Sequence, residues 1–110
     1  MKQDFTIELS SDNNFSVLNR IINILNRRRV RIKKLMGFED ENDFRRGGVI
    51  LLVHTTADLA EKCKLQLEKL IEVDEVNVHD GSSAYLELSE RIVDEDKCST
   101  INKRIKEKKT

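Results

Sequence analysis

Apolar residues alternate with polar ones, or run unbroken, in four short stretches of this chain. The alternation in residues 5–9 and 30–38 predicts strands that each bury one face. Residues 49–53 are all apolar, which is typical of a central strand buried on both faces. Valines recur in residues 73–78 and predict a fourth strand.

Two other stretches place apolar residues three and four positions apart, as amphipathic helices do. The first stripe lies after the polar loop 10–14 and comprises Leu18, Ile21, Ile22 and Leu25. The second follows Thr55-Thr56 and comprises Ala60, Cys63, Leu67, Leu70 and Ile71. Serine, threonine and asparagine before each stripe are residues that cap helix N-termini.

The predicted order is therefore strand–helix–strand–strand–helix–strand, which defines the split βαβ, ferredoxin-like unit. We expect an α+β fold with a four-stranded antiparallel sheet and two helices on one of its faces. Residues 1–79 hold this domain, and residues 80–110 form a charged C-terminal extension that adds one more strand, at 84–88, or a helix. The helices leave the second sheet face needing cover, so we expect a partner at that face or at a strand edge.

Length and charge restrict the class of protein. A chain of 110 residues corresponds to one domain. Its 20 basic and 20 acidic side chains cancel, which argues against a generic DNA-coating protein. Cys63 and Cys98 lack the spacing of a metal site and are predicted to be free thiols. No apolar run approaches a membrane span or a signal peptide, so a cytoplasmic protein is expected.

The chain lacks the sequence patterns that carry catalysis. His54 and His79 each fall at the end of a strand, and no cysteine has a histidine near it in sequence. There is no glycine-rich phosphate loop, and the carboxylates are dispersed over predicted surfaces. We therefore expect a non-catalytic protein with no metal site and no cofactor of its own.

Residues 27–34 contain six basic side chains, which suit nucleic-acid phosphates. The RNA-recognition fold has the same strand order, but it stacks bases on aromatic side chains of its central strands. The predicted third strand has no aromatic residue, and Phe5 in the first strand alternates with core positions. Nucleic-acid binding is the weakest of the functional interpretations.

The motifs of this chain resemble the ACT domain and, more narrowly, the regulatory small subunit of acetolactate synthase. That family has N-x-x-G-x-L-x-R before its first helix, R-R-G-[YF]-N-I-x-S-L at its second strand, and K-Q-L-x-K-L-[IV]-[DE]-V later. The residues here that match these motifs are Asn13, Leu18, Arg20, Arg27, Arg28, Ile32, Leu35, Gln66, Leu67, Lys69, Leu70, Ile71, Glu72 and Val73. The resemblance covers about residues 4–79.

The resemblance implies a non-catalytic subunit that binds and activates the catalytic large subunit of acetolactate synthase, in branched-chain amino acid biosynthesis. In the family the large subunit, not the small one, carries thiamine diphosphate, magnesium and flavin. Family ACT domains pair side by side into one continuous sheet. Their effector, valine or a related amino acid, lies between the loop before the first helix and the second strand of the neighbouring copy.

Carried over by position, the resemblance implies an effector site and a homodimer edge in this chain. The effector set is Asn13, Asn14, Phe15, Ser16, Val17 and Arg31; the dimer edge is Arg29, Arg31, Lys33 and Leu35.

Two departures fall on the effector set. Ser16 replaces the loop glycine, whose backbone N–H approaches the ligand carboxylate, and Arg31 replaces an asparagine that both donates and accepts. Arg29 replaces the second-strand glycine. We therefore expect valine feedback to be lost or altered, and Arg31 favours a more anionic effector. The alternative hypothesis is a stand-alone ACT-like sensor of another small molecule, with no link to acetolactate synthase.

Overall fold

The computed structural model describes residues 1–13 and 15–97. Its elements in chain order are β1 (Lys2–Asp12), α1 (Phe15–Arg27), β2 (Arg31–Glu39), β3 (Arg46–Thr56), α2 (Ala57–Glu68), β4 (Val73–Asp80) and α3 (Ser83–Lys97). The four strands form an antiparallel sheet in the order β2-β3-β1-β4. The predicted βαββαβ arrangement is confirmed. Within the described part of the chain no helix is long and apolar enough to cross a bilayer.

Strand β3 is buried on both sides, as its unbroken apolar run predicts. All five residues 49–53 are at most 6% exposed. Val49, Leu51 and Val53 face the helices α1 and α2, whereas Ile50 and Leu52 face the opposite side of the sheet. Burying each such side chain contributes about 1.5–3 kcal/mol. Both faces of the sheet must therefore be covered.

The helix side holds the larger core. Helix α1 buries Val17, Ile21 and Leu25, a row four residues apart, and only partly buries Leu18. Ile22, predicted to be inward, is half-buried at the border of the apolar stripe. Its inclusion in the core was wrong because the row that meets the sheet begins at Val17.

Helix α2 begins as predicted, with the Thr56 hydroxyl accepting from the Leu59 N–H at 3.2 Å. It buries Ala60, Cys63 and Leu67. The helix ends at Glu68, so Ile71 lies beyond it in the turn before β4 and is 96% exposed. The predicted inward position of Ile71 was therefore wrong.

Of the two cysteines, only Cys63 lies within the described residues. Cys63 is a free thiol in the core, and burial raises its pKa, so it stays protonated and inert. Cys98 lies outside the described residues.

Helix α3 packs across the second face of the sheet. Tyr85 is 6% exposed and packs with Ile50 and Leu52, joined by half-buried Leu88 and Ile92. The fully buried Thr6 hydroxyl anchors the start of the helix: it donates to the Gly81 carbonyl at 2.8 Å and accepts from the Tyr85 N–H at 3.2 Å. Of the two alternatives for the extension, the structure shows the helix, and the strand at 84–88 was wrong. A helix buries the uncovered sheet face, which an added edge strand would leave open.

The end of α1 requires a left-handed residue. The N–H groups of Arg28 and Val30 both bond to the Leu25 carbonyl, and Arg29 between them has φ 55°. It is the sole non-glycine residue with positive φ in the described chain. This conformation costs an L-residue about 1–2 kcal/mol. The family motif that the sequence resembles has glycine at this position.

Arg29→Gly is therefore expected to stabilise the chain by about 0.5–1 kcal/mol, since relief of the left-handed strain exceeds the entropy that glycine adds to the unfolded state. The measurement is the free energy of unfolding in urea. Arg28→Gly is the matched control: it removes the same charge at a residue with negative φ and should destabilise. Equal destabilisation by both substitutions would contradict the assignment.

Candidate functional site

A cavity of about 530 Å³ opens at one end of the sheet, where β1 runs into α1. We call it the α1 pocket. Its walls come from the end of β1, the first turn of α1, the end of β2 and the start of β3. The lining residues are Ser11, Asp12, Asn13, Val17, Leu18, Gly37, Phe38, Glu39, Gly48 and Val49. The volume lies in the range of small-molecule sites, and the lining combines an apolar floor with a few polar groups.

Asn13 is held in place by the hairpin that joins β2 to β3. Its backbone N–H donates to the Arg45 carbonyl at 2.8 Å, and its Nδ2 donates to the Phe44 carbonyl at 2.9 Å. Arg46 adds ion pairs with Asp12 and Asp74. Contacts between the end of β1, the β2–β3 hairpin and the start of β4 therefore hold the rim of the pocket in place.

Two glycines allow the backbone to approach closely here. A Cβ at Gly47 would lie 2.4 Å from the Phe38 carbonyl oxygen and 3.4 Å from the Asn13 Cβ. A Cβ at Gly48 would lie 2.5 Å from the Phe38 ring and 2.8 Å from the Leu9 carbonyl oxygen. The distances of 2.4, 2.5 and 2.8 Å are too short for a Cβ, so this glycine pair allows Phe38 to lie against the start of β3 beside the pocket.

The predicted effector residues divide into two places. Asn13 and Val17 line the α1 pocket, and exposed Ser16 stands beside them in the first turn of α1. Asn14, and the side chain of Phe15, lie outside the described residues. Arg31 lies at the opposite end of β2, paired with His54 in the sheet register. One copy of the chain therefore does not bring Arg31 to Asn13.

Arg31 lines a second, open cavity of about 400 Å³ on the α3 side of the sheet, with Asp4, Lys33, His54, Gly81 and Ser82. The Asp4 carboxylate bonds to His54 Nδ1 at 2.8 Å and to Lys33 Nζ at 3.1 Å. These two hydrogen bonds, His54 first, hold the pKa of the Asp4 carboxyl below its ordinary value.

The residues predicted for the dimer edge are exposed on or near β2, the outer strand of the sheet. Leu35 lies at the middle of the strand and is 37% exposed. The register of β2 shifts between Ile32 and Lys34, and Arg31, Lys33 and Lys34 share the α3 side of the sheet. Arg29 precedes the strand, in the turn that follows α1.

Sequence reasoning missed the β2 wall of the α1 pocket, formed by Gly37, Phe38 and Glu39. The signal was Gly37, because a glycine inside a strand often marks a close approach of backbone or ligand. A Cβ at Gly37 would meet only the Gly48 carbonyl, at 4.0 Å. The open space beside it is the pocket itself.

The two histidines pair with carboxylates rather than with nucleophiles. His54 bonds to Asp4, and His79 Nε2 bonds to Glu8 Oε1 at 2.9 Å. In the described residues no group of three or more histidine, cysteine, aspartate or glutamate side chains is arranged to hold a metal ion.

The sequence pattern of the ACT domain family matches residues 13–76, from the pocket loop to the first half of β4. The chain belongs to the ACT domain family. ACT domains are typically regulatory, non-catalytic modules that bind small molecules. Membership in this family places the chain in the general class of small-molecule regulatory domains. A search of curated proteins finds no match.

Solved structures of other ACT-domain proteins have the same fold. The ACT domain of a GTP pyrophosphokinase from Chlorobium tepidum superposes with a TM-score of 0.61 at 13% identity, over 71% of this chain and 99% of that one. An acetolactate synthase small subunit from Thermotoga maritima gives 0.61 at 21% identity, over 69% of this chain and 47% of that one. A homoserine dehydrogenase from Thiobacillus denitrificans gives 0.61 at 20% identity, over 73% of this chain and 17% of that one. At these identities the likeness is one of fold.

The lowered pKa of Asp4 gives the ACT domain a defined acid response. A carboxyl whose pKa is lower in the folded state than in the unfolded state stabilises the fold above the unfolded value of about 4 and loses that effect as pH falls. An NMR titration should show Asp4 protonating below that value. His54→Ala should raise the Asp4 pKa toward it, and His79→Ala should not. An Asp4 titration unchanged by His54→Ala would contradict the hydrogen-bond assignment.

Proposed function

We propose that two copies of this ACT domain pair along β2 and bind a small amino-acid-like effector in each α1 pocket. The observation that carries the proposal is the position of the pocket. Gly37, Phe38 and Glu39 form one of its walls, and all three belong to β2, one of the two outer strands of the sheet. A second copy added to this strand would close the cavity from the side.

The charges of β2 favour antiparallel pairing with itself. The strand begins with Arg31, Lys33 and Lys34 and ends with Glu39, followed by Asp40. Pairing over the full strand places the two-fold axis at Leu35, its middle residue. Arg31 then lies near Glu39 of the partner subunit, and opposite charges meet at both ends of the seam. Arginine side chains therefore do not face one another across the seam.

The same pairing brings Arg31 to the end of the seam at which the effector site of the other copy lies. Glu39 and Asn13 share the α1 pocket, so Arg31 of the partner subunit would lie at the same end of the seam, with its side chain starting from the α3 side of the sheet. A guanidinium binds a carboxylate through paired hydrogen bonds, and the carboxylate of Glu39 suits an ammonium group. The site would take a zwitterion or a more anionic relative, whereas Ser16 and Arg31 change the contacts that valine makes in the family.

Charge reversal tests the seam. Arg31→Glu is expected to weaken the dimer about tenfold, because each of its two ends then opposes like charges, and each such pair is worth up to roughly 1 kcal/mol. The double variant Arg31→Glu, Glu39→Arg should restore it. Sedimentation equilibrium measures both. Lys2→Glu, at the exposed start of β1, is the charge-matched control and should have no effect. A double variant no tighter than the single one would exclude this register.

We further propose that the partner of the dimer is the catalytic large subunit of acetolactate synthase. The motifs around Arg20 and Glu72 support this because they resemble those of the small subunit. Within the chain these two residues form an ion pair that ties α1 to the start of β4. The likeness to the Thermotoga maritima small subunit is consistent with it. In this arrangement binding stabilises the active conformation of the large subunit, and the effector shifts that equilibrium.

The test is acetolactate formation by the same organism's large subunit, with and without this chain and with and without valine. We expect stimulation that valine does not reverse. Gly37→Leu should keep the stimulation but abolish calorimetric binding of any amino acid that binds the original chain, because its side chain enters the open α1 pocket. Met36→Leu is the control: it lies on the opposite face of β2 and nearly conserves volume. Stimulation that valine abolishes, or ordinary valine binding, would overturn the altered-effector hypothesis.

A stand-alone sensor is the second candidate. It is favoured by the range of the structural relatives, which include parts of a pyrophosphokinase and of a homoserine dehydrogenase. The fold therefore does not select a partner. Amino-acid binding that Gly37→Leu abolishes, without stimulation of the large subunit, would support this candidate over the first.

A further inference from the structure

Helix α3 covers the sheet unevenly. Near its start Tyr85 is 6% exposed and packs directly on Ile50 and Leu52. Further along the helix a groove of about 330 Å³ separates it from the end of β2 and the loop that follows. We call this the α3 groove. Its apolar residues on the α3 side of the sheet are Phe38, Ile50, Leu88 and Ile92; Leu9 and Val49 also line it, although their side chains belong to the core beneath α1 and α2.

The rim of the α3 groove is acidic. Glu8, Glu39, Asp40 and Glu41 line it, against a single cation, Arg91. Glu8 is bonded to His79. Glu39, Asp40 and Glu41 have no cationic partner within the described chain, and Asp40 accepts only the N–H of Asn42, at 2.8 Å. Within the described part of one copy, three carboxylates thus stand uncompensated beside the apolar residues of the groove, although the whole chain has zero net charge.

We infer that the α3 groove is the docking site for a basic amphipathic peptide segment of another protein. Its apolar side chain would fill the space between Phe38 and Ile92, and the lysine or arginine residues beside it would pair with Asp40 and Glu41. Charge complementarity selects this chemistry over the alternatives. An acidic or purely apolar segment would leave the three carboxylates facing like charge or hydrocarbon. The inference rests on neither the dimer nor the effector site.

The size of the groove fits such a segment. Its volume accommodates a few side chains, at the lower end of ligand clefts in general. A short segment seated there buries little area, so a weak and salt-sensitive interaction is expected. Such an interaction suits regulated contact with a partner rather than permanent assembly.

The experiment uses the full chain and a fluorescein-labelled synthetic peptide in which one leucine and one isoleucine are each flanked by lysine or arginine. Fluorescence anisotropy measures its affinity at low and at physiological salt. We expect saturable binding that weakens with salt, and none by a peptide with glutamate at the basic positions.

Three variants locate the site. Asp40→Asn with Glu41→Gln should weaken binding about fivefold, from the loss of two surface ion pairs. Arg91→Glu should tighten it about threefold, because it removes repulsion and adds a carboxylate. Glu61→Gln with Glu68→Gln, exposed on α2 across the domain, is the matched control for net charge and should change affinity little. A tightened complex cannot be explained by misfolding, so Arg91→Glu keeps the test decisive.

Other occupants are distinguished by the same assay. Residues 98–110 hold five basic side chains and one acidic one. If the peptide binds only after Lys103, Arg104 and Lys106 are changed to glutamine, the chain competes in cis and the inference of a separate partner is overturned. If the peptide binds the chain at low concentration but is excluded as the chain dimerises at higher concentration, a second copy fills the groove and the inference is also wrong. Absence of saturable binding, or equal loss in the α2 control, would overturn it as well.

Discussion

The burial of β3 on both faces is the constraint on which the rest of the molecule depends. Side chains of residues 49–53 point alternately to opposite sides of the sheet, and all five are apolar. Pairing with β1 and β2 satisfies the backbone hydrogen-bonding groups along both edges of β3. It leaves the apolar side chains on both faces of the strand to be covered. Helices α1 and α2 cover one face. Helix α3 covers the other, where many folds of this order would rely on a partner.

This second layer changes what the ACT domain can offer to other molecules. Because α3 already covers Ile50 and Leu52, the sheet face is no longer a broad apolar docking surface. What remains available is more selective: the outer edge of β2, the α1 pocket beside it, and the narrow groove at the far end of α3. The three surfaces meet at Phe38 and Glu39, which line both cavities.

The polarity of β2 connects the fold to its proposed assembly. Cations gather at the start of the strand and carboxylates at its end and in the following loop, so the strand is complementary to itself when reversed. An antiparallel partner satisfies both ends, whereas a parallel one would oppose like charges along the seam. The zero net charge of the chain conceals this separation, which appears only when charges are assigned to positions along the strand.

Local patterns were sufficient for the elements and their order. Alternation identified the strands, threonine capping identified the start of α2, and the unbroken run in β3 indicated burial on both faces. These signals depend on neighbours in sequence, so they can be read without a structure. The predictions were wrong where contacts between distant segments of the chain decide the structure. The exposure of Ile71 depends on where α2 leaves the sheet, and the α3 helix depends on the open face that it covers.

The candidate site divides in the same way. Family motifs indicated Asn13 and Val17, which do line the α1 pocket. The sequence analysis did not identify Gly37, Phe38 and Glu39 as pocket residues. Residues form a pocket wall only when other residues face them across the cavity, and here the register of β2 against β3 decides which residues do so. The sequence by itself determined the elements, their order and the amphipathic faces, since periodicity is a local property. Only the tertiary structure decided which residues enclose a cavity, that Arg31 and Asn13 lie at opposite ends of one copy, and that α3 covers the second face, because these depend on contacts between segments far apart in the chain.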